Sequence, residues 1–376
     1  MIYLDAAATT LQKPPAVARA VLRAMQTMAS PGRGAHEPAM LAAQTAFDCR
    51  CAAAELFHVE QPEQVVFTFN ATHGLNLAIH SLIGPGDPVV ISGFEHNAVT
   101  RPLRQLGAKI RVAGRALFDT NAMAGEFAAK LPGAKAAVCT MTSNVFGYRT
   151  PIEEIAELCR KNGVPLIIDA AQSAGGQDID FTVLGADFLA MPGHKGLLGP
   201  QGTGLLLCAR PGQPLIAGGT GSDSRNQEMP AFLPDRLEAG THNIPGIAGL
   251  LEGIRYIQER EAEELGRWEM HLMRQFADQI RAIPDLEVFQ AKEPERQSGV
   301  LSLRHPDIDC EVLAEALGRA GVAVRAGLHC APLAHDSAGT GETGTVRFSF
   351  SPWNTERETE QAAHILATCV KNLGHK

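Results

Sequence analysis

The run "IIDAAQ" ends an apolar stretch on Asp169, with Gln172 three residues on. Ligands of open α/β sheets bind outside the carboxyl ends of strands, and a carboxylate placed there can hold the protonated ring nitrogen of a cofactor. Further along, "MPGHKGLLGPQGTG" sets Lys195 in a Gly-flanked turn after another apolar run. A lysine held by such a turn can form a Schiff base with a carbonyl. Free lysine has a pKa of about 10.4, so the site must favour the neutral amine or the imine. In "FNATHGLN", backbone N–H groups at a helix start, with the Thr72 hydroxyl, can bind an anion; equally, Asn70 or Thr72 can serve only as a helix cap. In "FEHNAV", Glu95 and His96 follow the strand "VVIS" and share its sheet edge. His96 can stack on an aromatic ring or shuttle a proton. The stretch "RAGLHCAPLAH" carries Cys330, which on its own residues reads as a nucleophile, a metal ligand or a small core residue. Cys330 and His335 match no common zinc spacing, and no metal site is expected.

These residues sit in a repeating texture. "QVVFTF", "DPVVISG", "KAAVCTM", "VPLIIDAAQ", "ADFLAMPG" and "GTGLLLC" read as strands, separated by helical patterns such as "HGLNLAIHSLI" and "NAVTRPLRQLG". The pattern "PIEEIAELCRKNG" starts on Pro and stops at Gly163, as helices do. The alternation predicts a mostly parallel sheet with helices on both faces. After about Ile247 the texture changes. One long charged helix is expected over 251–280, then "GVLSLRH", the helix "CEVLAEALGRAG", the strands "VAVRAG" and "TVRFSFS", and a last helix opened by a Thr355/Glu358 capping box. The Gly-rich "AGGTGSDSRNQEMPAFLPD" is the best candidate for a mobile loop. The expected division is a large domain over 16–250 and a smaller α+β C-terminal domain over 251–376, joined by the N-terminal segment 1–15.

Composition narrows the class. A chain of 376 residues suggests two domains or one large and one small. Its net charge of -8 argues against a nucleic-acid surface. No apolar run is long enough for a membrane span, and "MIYLDAAATT" lacks a basic n-region with an apolar h-region, so no secretory signal is expected. The eight cysteines form no CxxC pair and no disulfide framework, so a reduced, cytoplasmic chain is expected. No P-loop occurs, and no G-x-G-x-x-G follows the first strand.

Ten elements in order, "YLDAAATT", "PGRGAH", "NATHGLNLA", "EHNAVTRP", "SNVFG", "IIDAAQSAG", "GHKGLLGPQGTG", "LEAGTHN", "RAGLHCAPLAH" and "GTVRFSFSPWNT", run nearly the whole length. On these the chain resembles the class V aminotransferase family of fold type I pyridoxal-phosphate enzymes, and within it the second group of cysteine desulfurases and selenocysteine lyases. The resemblance implies an α/β fold whose large domain carries a mostly parallel seven-stranded sheet. It implies pyridoxal 5'-phosphate as cofactor, linked to Lys195, with Asp169 on the pyridine nitrogen, Gln172 on the ring hydroxyl and His96 stacked on the ring. Ala71, Thr72 and His194 correspond to phosphate ligands. Thr241 corresponds to a threonine reaching the phosphate of a neighbouring subunit, and Arg33 to a residue at the subunit boundary, so a homodimer is implied. Arg347 and Asn144 correspond to groups that bind the substrate carboxylate, with Arg325 assisting.

The implied reaction takes L-cysteine to L-alanine, with Lys195 moving the Cα proton and the Cys330 thiolate taking the sulfur as a persulfide for an acceptor protein. His96 and His329 are candidates to tune or protonate. A selenocysteine lyase acting on L-selenocysteine shares these features. Other pyridoxal-phosphate reactions (racemisation, transamination, β-elimination) and a non-catalytic sulfur carrier or scaffold are the competing readings. Three positions depart from the family pattern. Pro192 replaces a Ser or Thr whose hydroxyl binds phosphate, which predicts a weaker cofactor grip. His73 replaces an acidic or polar residue, and Leu328 stands in place of a second histidine.

Overall fold

The computed structural model describes residues 1–32 and 34–374. After β1 (Ile2–Tyr3), helices α1 (Pro15–Thr27) and α2 (Glu37–Leu56) lead into the alternating region. There β2 (Val65–Thr68), α3 (Ala71–Leu82), β3 (Pro88–Ser92), α4 (Asn97–Gln105), β4 (Lys109–Ala113), α5 (Thr120–Lys130) and β5 (Ala136–Thr140) follow one another. They continue as α6 (Ile152–Asn162), β6 (Leu166–Asp169), α7 (Phe181–Leu184), β7 (Phe188–Pro192) and β8 (Gly204–Cys208). Strands β2 to β8 form one seven-stranded sheet in the order β2-β8-β7-β6-β5-β3-β4. Pairing from β7 through β4 is parallel, and β8 runs antiparallel to both its neighbours.

Both faces are covered, which is why the central strands read as unbroken apolar runs rather than alternating ones. Ile167 and Phe188 join one apolar cluster with α3 and α4, while Ile168 and Leu189 join another on the opposite face. The expected strands and helices of this region form where their patterns place them, and Gly163 ends α6 in the left-handed conformation. One strand was not legible. "KIRVA" is the edge strand β4, only its last residue is buried, and it lacks the apolar run that marks the interior strands.

The remainder is α8 (Ile244–Arg260), α9 (Ala262–Ile280), β9 (Glu287–Phe289), β10 (Val300–Arg304), α10 (Cys310–Arg319), β11 (Val322–Ala323), β12 (Arg325–Gly327), α11 (Pro332–Ala338), β13 (Thr345–Ser349) and α12 (Glu356–Gly374). The single helix expected over 251–280 is two helices. Glu261 takes a left-handed φ of 62° and breaks the ladder, so α8 packs on α1 and α2 while α9 packs on α12. The strand expected over "VAVRAG" also divides. β11 pairs with β1, whereas β12 joins the antiparallel sheet β12-β13-β10-β9. The Thr355/Glu358 capping box forms reciprocally: Thr355 N–H donates to Glu358 at 2.9 Å and Glu358 N–H to Thr355 Oγ1 at 3.2 Å. Among the described residues, no helix is long and apolar enough to cross a membrane.

Candidate active site

Strand ends deliver the site. β6 ends on Asp169 and β7 on Pro192, and the turn after β7 carries His194 and Lys195. The glycines of this turn are a packing requirement. A Cβ on Gly196 would lie 2.1 Å from the Ala174 carbonyl oxygen, so only glycine lets the lysine turn press against the loop that follows Asp169. A cleft of about 530 Å³ opens here, lined by Ala71, Thr72, His96, Asn144, Asp169, Gln172, His194 and Lys195 among others. Eight of the residues named from the sequence thus meet in one space.

Its electrostatics follow from burial. The Lys195 ammonium is pushed down to about 8 by desolvation, against the pull of Asp169, so the neutral amine is accessible near neutral pH. Asp169 is 3% exposed; burial raises its pKa, opposed by the Ala171 N–H that donates to Oδ1 at 2.9 Å and by Lys195. His96 caps α4, its Nδ1 accepting the Ala98 N–H at 3.0 Å. Burial, then Lys195, Arg101 and Arg347, bring it to about 4. The ring is therefore neutral, and with Nδ1 as acceptor its proton resides on Nε2. His194 is likewise brought to about 4, by burial and then by Lys195 and Lys13.

At the start of α3, Asn70 is the cap. Its Oδ1 accepts the His73 N–H at 2.9 Å, and the Gly74 N–H bonds the Asn70 carbonyl. The N–H groups of Ala71 and Thr72 remain for a ligand at the positive end of the helix. His73 stacks on Phe69 instead of entering the cleft. This donor set fits pyridoxal phosphate: two helix-start N–H groups, the Thr72 hydroxyl and His194 for a phosphate, Asp169 for a ring nitrogen, Lys195 for an aldehyde.

Sequence reasoning missed the framework behind these groups. The N-terminal segment clamps the lysine turn. The His194 carbonyl accepts from Thr10 N–H, Thr9 Oγ1 and Lys13 Nζ, and the Lys195 carbonyl from Thr10 Oγ1 at 2.9 Å. Gln172 Nε2 donates to the Ala7 carbonyl. Glu95, expected on the sheet edge beside His96, turns inward and is fully buried. Its Oε1 accepts from Ser92 and from the Thr140 N–H, while Oε2 has no partner. Burial, with Asp169 adding, drives it up to about 8. Only "YLDAAATT" hinted at this framework, as a run of small and hydroxyl residues with no chemistry of its own.

Cys330 and the arginines lie outside the cleft lining but are tied to it. His329 and Cys330 both adopt left-handed φ, 50° and 57°, a strained choice for side chains of this kind. The Asn97 N–H holds the Cys330 carbonyl at 2.8 Å, and Asn144 Nδ2 holds the His329 carbonyl at 2.8 Å. The Cys330 side chain itself is exposed, and α11 begins two residues later. His335 is no ligand beside it: it is fully buried, bonded to Thr340 Oγ1 at 2.7 Å and stacked on His329. Burial takes His329 down to about 2, which makes it a neutral structural ring at physiological pH. Arg347, 2% exposed, donates to the Asn144 carbonyl and to Asp5. Thr241 lies in a different cleft, with Phe67, Phe69 and His242. Arg33 lies outside the described residues.

A seven-stranded sheet of this order with a buried lysine turn and strand-end aspartate defines a fold type I α/β enzyme. The family model for aminotransferase class V matches residues 2–361, and the chain belongs to that family. It is 30% identical over 390 residues to a probable cysteine desulfurase of Pyrococcus abyssi, covering 99% of this chain and 95% of that one. It is 33% identical over 379 residues to a probable cysteine desulfurase of Haemophilus influenzae, covering 96% and 84%. Among solved structures, the apo cysteine desulfurase of Thermococcus onnurineus superposes with a TM-score of 0.92 at 29% identity, covering 99% of this chain and 95% of that one.

Proposed function

We propose that the protein is a pyridoxal-phosphate-dependent cysteine desulfurase that converts L-cysteine to L-alanine and takes the sulfur onto Cys330 as a persulfide. The observation that carries this reading is the juxtaposition of a buried lysine cleft with an exposed cysteine whose loop is bonded to Asn144 of the cleft's own wall and to Asn97, next to the lining residue His96. Lys195, Asp169, Gln172, His96, Ala71, Thr72 and His194 hold the cofactor. When bound, its pyridine ring supplies an electron sink for charge developing at the substrate Cα.

Arg347 and Asn144 bind the substrate carboxylate, and the unpartnered, buried Nε of Arg347 supports that role. Lys195, whose neutral amine is accessible near neutral pH, removes the Cα proton. The Cys330 thiolate then attacks the substrate sulfur. The carbon–sulfur bond breaks with its electron pair left on Cβ, Cβ is protonated, Cα takes back the proton held by Lys195 so that alanine departs, and the persulfide remains on Cys330 for an acceptor thiol. The exposure of Cys330 suits delivery to a second protein. A homodimer is part of this reading, and it is supported by Thr241 lying away from the chain's own Lys195 cleft and beside the exposed Phe69.

The test is the yield of alanine and sulfide from L-cysteine with a reductant, in wild type and Cys330→Ser. Equal amounts of the two products in wild type, lost in the variant, support the reading. Pyruvate, or rates indifferent to Cys330, would sink it. Initial rates on L-selenocysteine with Cys330→Ala separate the lyase: retained activity there, with cysteine activity lost, favours selenium release.

A further inference from the structure

Arg325 and Arg347 are registered directly opposite each other on β12 and β13. Like charges facing across a strand pair repel, so such a pair needs an anion. The resident anion is Asp5. Its Oδ1 accepts from Arg347 Nη2 at 2.9 Å, and its Oδ2 lies 3.6 Å from Arg325 Nε. Asp5 is held in place by backbone pairing. The segment bridges Ser349 on β13, with Ser349 N–H donating to the Leu4 carbonyl at 2.8 Å and Ala7 N–H to Ser349 Oγ at 2.9 Å. Two guanidinium groups and one carboxylate leave a single uncompensated positive charge, and the buried Nε of Arg347 is the donor still without a partner.

The two arginines are not equivalent. Arg347 is buried and bonded to Asn144 of the cleft wall. Arg325 is about half exposed, and its strand runs straight into the loop that presents Cys330. Arg325 therefore stands toward the end of the site where the substrate side chain meets the nucleophile. We propose that Asp5 is a specificity-determining residue: by cancelling one charge of this arginine pair, it fits the site to amino acids with one carboxylate and an uncharged side chain, and disfavours those with an anionic side chain. This rests on Arg347 binding the substrate carboxylate.

The experiment measures inhibition constants of L-alanine and L-aspartate against L-cysteine desulfuration by the holoenzyme. Wild type is expected to favour alanine. Asp5→Asn shifts the alanine-to-aspartate ratio toward aspartate by about tenfold or more, since a neutralising charge is lost beside the ligand. Asp5→Glu retains the wild-type preference, and Arg325→Gln, which keeps Asp5, moves the ratio the opposite way. A purely structural role for Asp5 would weaken both ligands alike and leave the ratio fixed. A ratio within twofold of wild type in both Asp5→Asn and Arg325→Gln overturns the proposal; if Asp5→Asn does not fold, Arg325→Gln decides alone. Arg347→Lys monitors the underlying reading separately: if neither inhibition constant changes in it, Arg347 does not bind the carboxylate, whatever Asp5 does.

Discussion

The Lys195 turn and the Cys330 loop are held in opposite ways. The lysine turn is buried, its two carbonyls are gripped by Thr9, Thr10 and Lys13, and its glycines fit backbone against backbone. The cysteine loop has two consecutive residues in left-handed geometry, an exposed thiol and its His329 and Cys330 carbonyls held from the cleft wall. The first region needs fixed geometry because its pKa values are made by desolvation. On the proposed function the second has to reach a substrate and then an outside acceptor, so strain held by a few bonds serves it better than burial. The largest expected effect breaks the first region: Lys195→Ala abolishes the visible absorption of the holoenzyme after borohydride-free purification and lowers desulfuration by roughly 10³-fold or more, while leaving Cys330 alkylation by iodoacetamide near its wild-type rate. An unchanged spectrum would remove Lys195 from the cofactor site.

Glu95 tests whether burial governs that same region. Its folded pKa, up at about 8, is above the ordinary carboxyl value of 4.5. The folded state thus binds more protons than the unfolded state between these values, and stability from this group is full below about 4.5 and lost as pH rises through about 8. Glu95→Gln keeps an acceptor for the Thr140 N–H but cannot ionise. Melting temperatures measured from pH 5 to 9 should fall up to about pH 8 in wild type and level off above it, with this fall absent in the variant. Parallel pH curves would show that Glu95 is not buried as a neutral acid.

The two regions were unequally legible in the sequence. The lysine turn was readable because apolar strands buried on both faces leave long runs, and because Asp169 and Lys195 fall at their ends. β4 was not, since an edge strand carries no such run. The division of the helix at Glu261 was hidden because no Gly or Pro stands at it and the charged run around it suits an exposed helix face. The clamp by Thr9, Thr10 and Lys13, and the inward turn of Glu95, depend on pairings 181 to 185 residues apart or on a rotamer, which composition and periodicity do not carry. Between the strands "VAVRAG" and "TVRFSFS" no helix is expected from the pattern, yet Pro332 at a first helical position starts α11 there.

If the Cys330 loop is held against strain by its bonds to the cleft wall, cutting one should loosen it. Asn144→Ala removes the donor to the His329 carbonyl. A hydrogen bond of this kind contributes about 1 kcal/mol net, so alkylation of Cys330 in the apoprotein should quicken by roughly fivefold. Saturating L-alanine, whose carboxylate competes for Asn144, should quicken it in wild type and add little in the variant. Equal rates in all four conditions would show that the loop is fixed by its own packing and would erase the contrast with the lysine turn.

The smallest effect lies where the rigid region lacks a donor. Pro192 ends β7, is buried and lines the cleft with Thr72 and His194, but has no hydroxyl. On the proposed function, the phosphate is then held by the start of α3 and His194. Pro192→Ser adds one hydroxyl to that set at little cost in apolar burial, because Pro192 already faces polar neighbours across the cleft. Pyridoxal-phosphate titration of the apoprotein should show roughly threefold tighter binding, the worth of part of one hydrogen bond. Alkylation of Cys330 should not change, because no bond of its loop passes through β7. Unaltered affinity would mean that helix-start N–H groups and His194 already satisfy the phosphate, and that the proline costs this site nothing.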